Sequence, residues 1–250
     1  MRLTVVGCAG SYPSAASPAS CYLIEHEGAR LVLDLGNGSL GALQRHLDPT
    51  TADGITAVVL SHCHIDHCAD IASLFVARHH YAREHLPPLP VLGPSDAASR
   101  AAAIHGGDSA ALLNSSFAFR THGAGPVEIG PFTIRSAPAR HPVESYSVLV
   151  SAGGRSIAYS GDTGPNPALN ELAEGADVAL FEASFVGTDN PVDLHMTGAQ
   201  AGSAAHDAGV GRLVLTHLVV HNDDDVVLAE AAEQFSGPIE LAYAGMAFDV

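Results

Sequence analysis

With 250 residues, 47% of them hydrophobic and 15% charged, the chain has the apolar content for a sizeable core, which excludes a disordered or fibrous protein. Acidic residues outnumber basic ones 27 to 11, a formal charge of −16 with histidine neutral. Such a surface repels nucleic-acid phosphates and anionic lipid, so a broad nucleic-acid binder is disfavoured. Fifteen histidines are the compositional exception, and histidine is both the commonest metal ligand and the proton carrier of neutral pH.

The first apolar run, Leu3–Val6, reads as a strand. Val5-Val6-Gly7-Cys8 resembles a lipoprotein cleavage box, but a signal peptide needs about 7–15 apolar residues before the cut. Strands follow at Tyr22–Ile24 and Leu31–Leu35. Gly36-Asn37-Gly38-Ser39-Leu40-Gly41 matches the dinucleotide pattern GxGxxG. However, the next strand, Ala57–Leu60, closes on Ser61-His62, whereas a dinucleotide site wants an acidic residue there, and the nearby acid, Asp34, precedes the glycines. The segment reads as a turn with a helix start. Further strands are expected at Phe132–Ile134, Val148–Val150, Ile157–Tyr159, Val178–Phe181, Leu213–Leu215 and Ile239–Ala242. Ala-rich stretches around 68–77, 95–104, 167–174, 197–208 and 223–235 read as helices. Thr197-Gly198-Ala199-Gln200 fits a capping box, and Gly209 a C-terminal stop. The alternation predicts one layered α/β domain over residues 1–250. Cys8, Cys21, Cys63 and Cys68 lack CxxC spacing, and no apolar run approaches the roughly 18 residues of a membrane helix. Reduced thiols in a cytoplasmic protein are therefore expected.

The strongest signal is Ser61-His62-Cys63-His64-Ile65-Asp66-His67, which directly follows a strand. Alternation lets His62 and His64 point one way while Asp66 and His67 turn toward a neighbouring position. That is too many donors for one four-coordinate ion with an open water position, so two adjacent divalent ions are the economical solution. His141, Asp162 and His217 each sit just past a strand and supply further donors. All of these ligands are nitrogen or oxygen, which suits zinc but also manganese or iron.

His62-x-His64-x-Asp66-His67 followed by His141, Asp162 and His217 resembles the metallo-β-lactamase superfamily from end to end. The resemblance implies an α/β fold, a four-layer αββα sandwich. It implies that His62, His64 and His141 hold one ion and Asp66, His67 and His217 the other, with Asp162 bridging them alongside a water or hydroxide. Leu194-His195-Met196-Thr197 and Phe181-Glu182-Ala183-Ser184 look like motifs of the ribonuclease Z branch. Ser17-Pro18-Ala19-Ser20, Gly93-Pro94-Ser95-Asp96, His141-Pro142-Val143-Glu144-Ser145 and Asp193-Leu194-His195 are similar to an actinobacterial set within that branch, described as atypical class II cyclic nucleotide phosphodiesterases. A homodimer is what the family suggests.

The reaction these residues point to is hydrolysis of a small phosphodiester, a 3′,5′-cyclic nucleotide first, by a metal-bridging hydroxide. Asp66 binds metal and can take the nucleophile's proton. His195, ahead of a capped helix where an anion is favoured, is expected to serve as general acid, the alternative being a helix-entry histidine that only caps or packs. Glu182 is expected either to orient it or to serve another partner at its strand end. Ribonuclease Z proteins carry a basic arm between the positions matching His141 and Asp162, and the residues at 142–161 leave no room for one. Transfer RNA 3′ cleavage is therefore the alternative, beside lactone, ester or amide hydrolysis at the same centre and metal binding without turnover. Arg78-His79-His80-Tyr81-Ala82-Arg83-Glu84-His85 is either a solvated helix end or a rim for the substrate mouth with Tyr81 stacking on a base.

Overall fold

The computed structural model describes residues 1–107, 110–187 and 194–250. The first half of the chain runs β1 (Arg2–Gly7), β2 (Cys21–His26), β3 (Ala29–Leu33), α1 (Ser39–Leu43), β4 (Ala57–Val59), α2 (Ile65–Cys68), α3 (Ile71–His80), β5 (Leu89–Gly93), α4 (Ala97–His105), α5 (Ala110–Leu113) and β6 (Phe117–Thr121). The second half runs β7 (Val127–Ile129), β8 (Phe132–Pro138), β9 (Tyr146–Ala152), β10 (Arg155–Tyr159), α6 (Pro167–Leu172), β11 (Val178–Glu182), α7 (Gly198–Ala208), β12 (Leu213–Thr216), α8 (Asp224–Ala232), β13 (Ile239–Leu241) and β14 (Ala247–Asp249). One sheet has the order β14-β1-β2-β3-β4-β5-β6 and the other β13-β12-β11-β10-β9-β8-β7.

Three apolar cores separate four layers, the expected αββα sandwich. Inward residues of both sheets, among them Leu3, Ile24, Val59, Phe132, Val150 and Leu180, fill the space between the sheets. Val32, Val58 and Val91 on the outer face of the first sheet pack against Leu40, Leu74, Phe75 and Ala101 of its helices. Ala158, Phe181 and Leu215 do the same against Leu169, Ala205 and Val227 on the far side. Alternate faces of each strand are apolar because both are covered. Small residues dominate α7, where a Cβ at Gly202 would stand 2.5 Å from the Ala231 carbonyl oxygen, so α7 and α8 pack backbone to backbone.

The expected strands are all present, within a few residues of their predicted ends. Four more, β5, β6, β7 and β14, were not expected. In β5 the signal is masked by Pro90, which lacks an N–H and usually argues against a strand paired on both sides, as β5 is by β4 and β6. β7 and β14 are three-residue edge strands, too short for periodicity to show. The capping box at Thr197 and Gln200 is formed, and Gly209 ends α7 in the left-handed conformation at φ 62°. No helix among the described residues is long and apolar enough to cross a membrane. The four thiols are free cysteines, three of them buried.

Candidate metal centre

The topology brings the chemistry to one edge. β10, β11 and β12 are parallel neighbours, so Asp162, Glu182 with Ser184, and His217 emerge side by side from their C-terminal ends. β3 and β4 are parallel in the other sheet, which sets Asp34 beside Ser61 and the metal loop. His62 and His64 lie in the loop after β4, and Asp66 and His67 ride on the single turn of α2, with His64 as its N-cap. That short helix turns Asp66 and His67 toward His217, although the His67 ring still lies 4.1 Å from that of His62.

Two donor sets result. His62 Nε2 and His141 Nε2 each stand 3.1 Å from His64 Nδ1, and Asp162 Oδ2 is 3.6 Å from His62 Nε2. In the second set His67 Nε2 lies 3.4 Å from Asp66 Oδ2 and 3.2 Å from Asp162 Oδ1, while His217 Nε2 lies 3.1 and 3.4 Å from the same oxygens. Ligands about 2.0–2.1 Å from one tetrahedral ion stand about 3.3–3.4 Å apart, so both sets have the spacing a metal requires. Two buried atoms, His67 Nε2 and Asp162 Oδ1, have no hydrogen-bond partner, and both face the second set. Orphaned buried polar atoms are few, and a divalent cation held between these two would satisfy both. Asp162 turns one oxygen to each set.

Hydrogen bonds behind the donors fix which nitrogen faces inward. Ser61 Oγ donates to Asp34 Oδ2 at 2.7 Å, so it accepts from His62 Nδ1 at 3.1 Å. Ser184 Oγ donates to Glu182 Oε2 at 2.8 Å and accepts from His217 Nδ1 at 2.7 Å. His141 Nδ1 donates to the Leu194 carbonyl. Each of these rings therefore turns an Nε2 lone pair inward. Asp34 is the hub: fully buried at φ 55°, it accepts from Ser61 N, Ser61 Oγ, His67 Nδ1 and Tyr159 Oη at 2.7–2.8 Å. Tyr159 crosses from the other sheet to reach it. The glycine pattern after Asp34 has a different purpose from nucleotide binding: a Cβ at Gly36 would stand 2.0 Å from the Asp66 carbonyl oxygen, so glycine lets this loop pass under α2.

Burial and the charged His67 hold His62 well below its ordinary value, and burial brings His141 down to about 4, so both are neutral ligands. Burial also opposes charge on His67, but Asp162 and Asp34 outweigh it and raise the imidazole well above its usual range. Asp162 is driven the other way: burial would raise it, yet His217, His67 and His62 hold it well below the carboxylate range.

His195 stands beside both sets. Its ring stacks on His217 with centroids 5.5 Å apart, and its Nδ1 lies 4.0 Å from Asp162 Oδ2 and 2.9 Å from Glu182 Oε1. Glu182, fully buried at the end of β11, also accepts from the backbone N–H of Thr163 and from Ser184 Oγ. Orienting His195 and bracing the neighbouring loops are thus one arrangement. Burial lowers His195, but the hydrogen bond and charge of Glu182 prevail and raise it to about 9.

The chain matches a known family. A family model described as the β-lactamase superfamily domain matches residues 29–218. The chain belongs to the metallo-β-lactamase superfamily. An uncharacterized protein of Mycobacterium leprae is 40% identical over 256 residues, covering all of this chain and 89% of that one. The probable metallo-hydrolase YhfI of Bacillus subtilis is 30% identical over the full length of both chains, and its crystal structure superposes with a TM-score of 0.87 over 99% of each. Ribonuclease Z of Mycolicibacterium paratuberculosis is 30% identical over 96% of this chain and 95% of its own. As a superfamily member with these relatives, the protein is a metal-dependent hydrolase.

All of the predicted site residues converge. Among the motif residues, only Asp193 lies outside the described residues. Asp34, Ser61, Ser184 and Tyr159 had no assigned role in the sequence reading. An acid directly after a strand was the available signal for Asp34, and it served there only to disfavour a dinucleotide site. The rim reading of 78–85 does not hold for Arg78, whose buried guanidinium donates to the carbonyls of Pro49 and Pro87. His79 stacks its ring on Phe75, and His79, His80, Tyr81, Arg83, Glu84 and His85 are all exposed, Tyr81 to 72%, as a solvated helix end would be.

Two expected outcomes follow from these contacts. Asp34→Ala should leave four donors without their shared acceptor and destabilise the metal-free protein by about 3 kcal/mol or more in denaturant unfolding. Metal affinity should drop about 10–100-fold, because His67 loses its orienting carboxylate; unchanged affinity would mean that other contacts hold the ring. In metal-free protein, NMR titration should place His195 at about 9, well above the ordinary imidazole value of about 6.5. Since the folded value is the higher one, the His195–Glu182 pair stabilises the fold below about pH 6.5 and that contribution is lost as the pH rises through about 9. In Glu182→Gln the titration should shift down toward 6.5, and an unmoved midpoint would remove Glu182 as its cause.

Proposed function

We propose that this hydrolase cleaves small phosphodiesters, 3′,5′-cyclic nucleotides first among them, at a centre of two divalent ions with His195 as general acid. The observation that carries the reading is Asp162 facing two donor sets while an imidazole, raised to about 9 by Glu182, sits 4.0 Å from the same carboxylate. When bound, two ions supply Lewis acidity at phosphoryl oxygens and hydroxide near neutral pH, and nitrogen and oxygen donors suit zinc, manganese or iron.

The chain's own residues perform the rest. Asp66 stays ionised because, although burial raises it, its neighbours His217 and His67 pull it below the usual carboxylate range, which suits it to hold an ion, and from there it would take the nucleophile's proton. His195, protonated at neutral pH, gives a proton to the departing ribose oxygen. Glu182 holds the ring by Nδ1 and balances its charge, and Asp34 and Ser184 keep the ligand rings in register.

A small substrate is favoured by what lies between His141 and Asp162. β9 and β10 form a hairpin through those residues, paired from Tyr159↔Val148 to Arg155↔Ala152, in place of a basic arm. With a charge of −16, the chain also lacks the electrostatic affinity that long RNA requires. The second reading, transfer RNA 3′ cleavage, is favoured by the 30% identity to a ribonuclease Z. Comparing kcat/KM on cyclic AMP and on a transfer RNA precursor separates them. The cyclic nucleotide should be the better substrate, and any RNA cleavage should weaken steeply with salt; efficient, salt-resistant trimming of the RNA would promote the second reading. The protein is expected to act in the cytoplasm, and a homodimer is a further expectation.

A further inference from the structure

We infer that the backbone N–H of Ser11 is a substrate-binding group, aimed at His217 at the edge of the second donor set, that holds a phosphoryl oxygen once an ion takes the His217 lone pair. The inference rests on the phosphodiesterase reading and adds a donor to it. Directly after β1 the chain is clamped against the residues that follow β12: Leu218 N donates to Cys8 O at 3.1 Å, and Gly10 N donates to Leu218 O at 3.0 Å. A Cβ at Gly10 would stand 2.5 Å from the His217 carbonyl oxygen and 3.0 Å from His217 Nδ1, so only glycine permits this approach. The next residue, Ser11, takes φ 63°, and the turn closes with Tyr12 N on Gly10 O at 2.7 Å. A left-handed non-glycine residue is uncommon, and His217, its partner across this contact, is another at φ 54°.

This turn has a definite geometric result. The Ser11 N–H points at His217 Nε2 with the nitrogens 3.4 Å apart. His217 Nδ1 donates to Ser184, so Nε2 is the lone-pair nitrogen, the atom that also faces Asp66 and Asp162. A contact of that length is weaker than a standard N–H hydrogen bond of about 2.7–3.2 Å. Once the lone pair is committed to an ion it accepts nothing, while the clamped backbone keeps the N–H directed at the same place. An exposed residue at the mouth of the site can then receive an acceptor from the solvent side. A fixed backbone amide aimed at a position where negative charge gathers is the arrangement that stabilises oxyanions.

The test replaces the amide at position 11 with an ester, by incorporating lactic acid through a suppressor transfer RNA, and compares it with Ser11→Ala. The ester lacks the N–H and also weakens the Gly10 carbonyl that accepts from Tyr12 N. An ester at position 12, which removes that turn bond and keeps the Ser11 N–H, is therefore the control and should behave like Ser11→Ala. The readouts are metal content, affinity for inorganic phosphate by calorimetry, and kcat/KM on a nitrophenyl phosphodiester. With metal content equal, the position-11 ester should bind phosphate about tenfold more weakly and lose about 10²-fold in kcat/KM. Equal phosphate affinity in the two position-11 variants, no phosphate binding by wild type, or loss of metal from the position-11 ester alone would each overturn the inference, the last by showing that the amide serves His217. The phosphate comparison does not depend on cyclic nucleotide turnover, so a wild type that binds phosphate but leaves cyclic AMP intact defeats the substrate reading and not this one.

Discussion

Replacing Asp162 with alanine is expected to weaken metal binding in both donor sets at once and to cost at least about 10²-fold in kcat. The reason is geometric: Oδ2 faces His62 at 3.6 Å and Oδ1 faces His67 at 3.2 Å, so one carboxylate is shared. Without it, each set keeps three donors but loses the anion that offsets the ions' charge. His64→Ala should behave differently, because His64 belongs to the first set alone, with His62 and His141 as neighbours. Its loss should empty one position and leave the second set of Asp66, His67, Asp162 and His217 intact. Metal analysis of both variants against wild type reads this directly. Wild type should hold about two ions per chain, since seven donors exceed what one tetrahedral site can use. An Asp162→Ala protein with full metal and full activity would end the bridging role.

His195→Ala should separate proton donation from metal binding. A ribose oxygen leaves as a strongly basic alkoxide and needs a proton, so this variant should lose about 10²–10⁴ in kcat on a cyclic nucleotide. A nitrophenolate leaves without help, so the same preparation should stay near wild type on a nitrophenyl phosphodiester. Metal content should not change, since the proposed ligands exclude His195 and its Nδ1 is spent on Glu182 at 2.9 Å. The decisive quantity is the ratio of the two losses in one metal-replete sample. Equal losses would leave His195 as a positioning residue, held between Glu182 and the stacked ring of His217.

The metal loop was legible in the sequence because its information is local: His62 and His64 lie in the loop after one strand, and Asp66 and His67 on the single turn of helix that follows. The same holds for the capping box before α7, where Thr197 and Gln200 satisfy each other three residues apart. His141, Asp162 and His217 stand out only as donors following strands, which no local pattern distinguishes from other histidines and acids there, and the resemblance assigned them to the two ions. β5 escaped notice because a proline interrupts it, and the pairing that tolerates Pro90 is decided by its neighbours β4 and β6. What only the tertiary structure decided is how the ligands are held. Asp34 meets His67 across 33 positions of sequence and Tyr159 across 125, and Ser184 joins Glu182 to His217 across 33. Those partners meet because parallel strands end on one edge and the two sheets face each other there. An orienting hydrogen bond depends on that convergence in space, whereas a ligand motif depends only on spacing along the chain, and so the sequence by itself determined the donors while the fold decided which nitrogen each one offers.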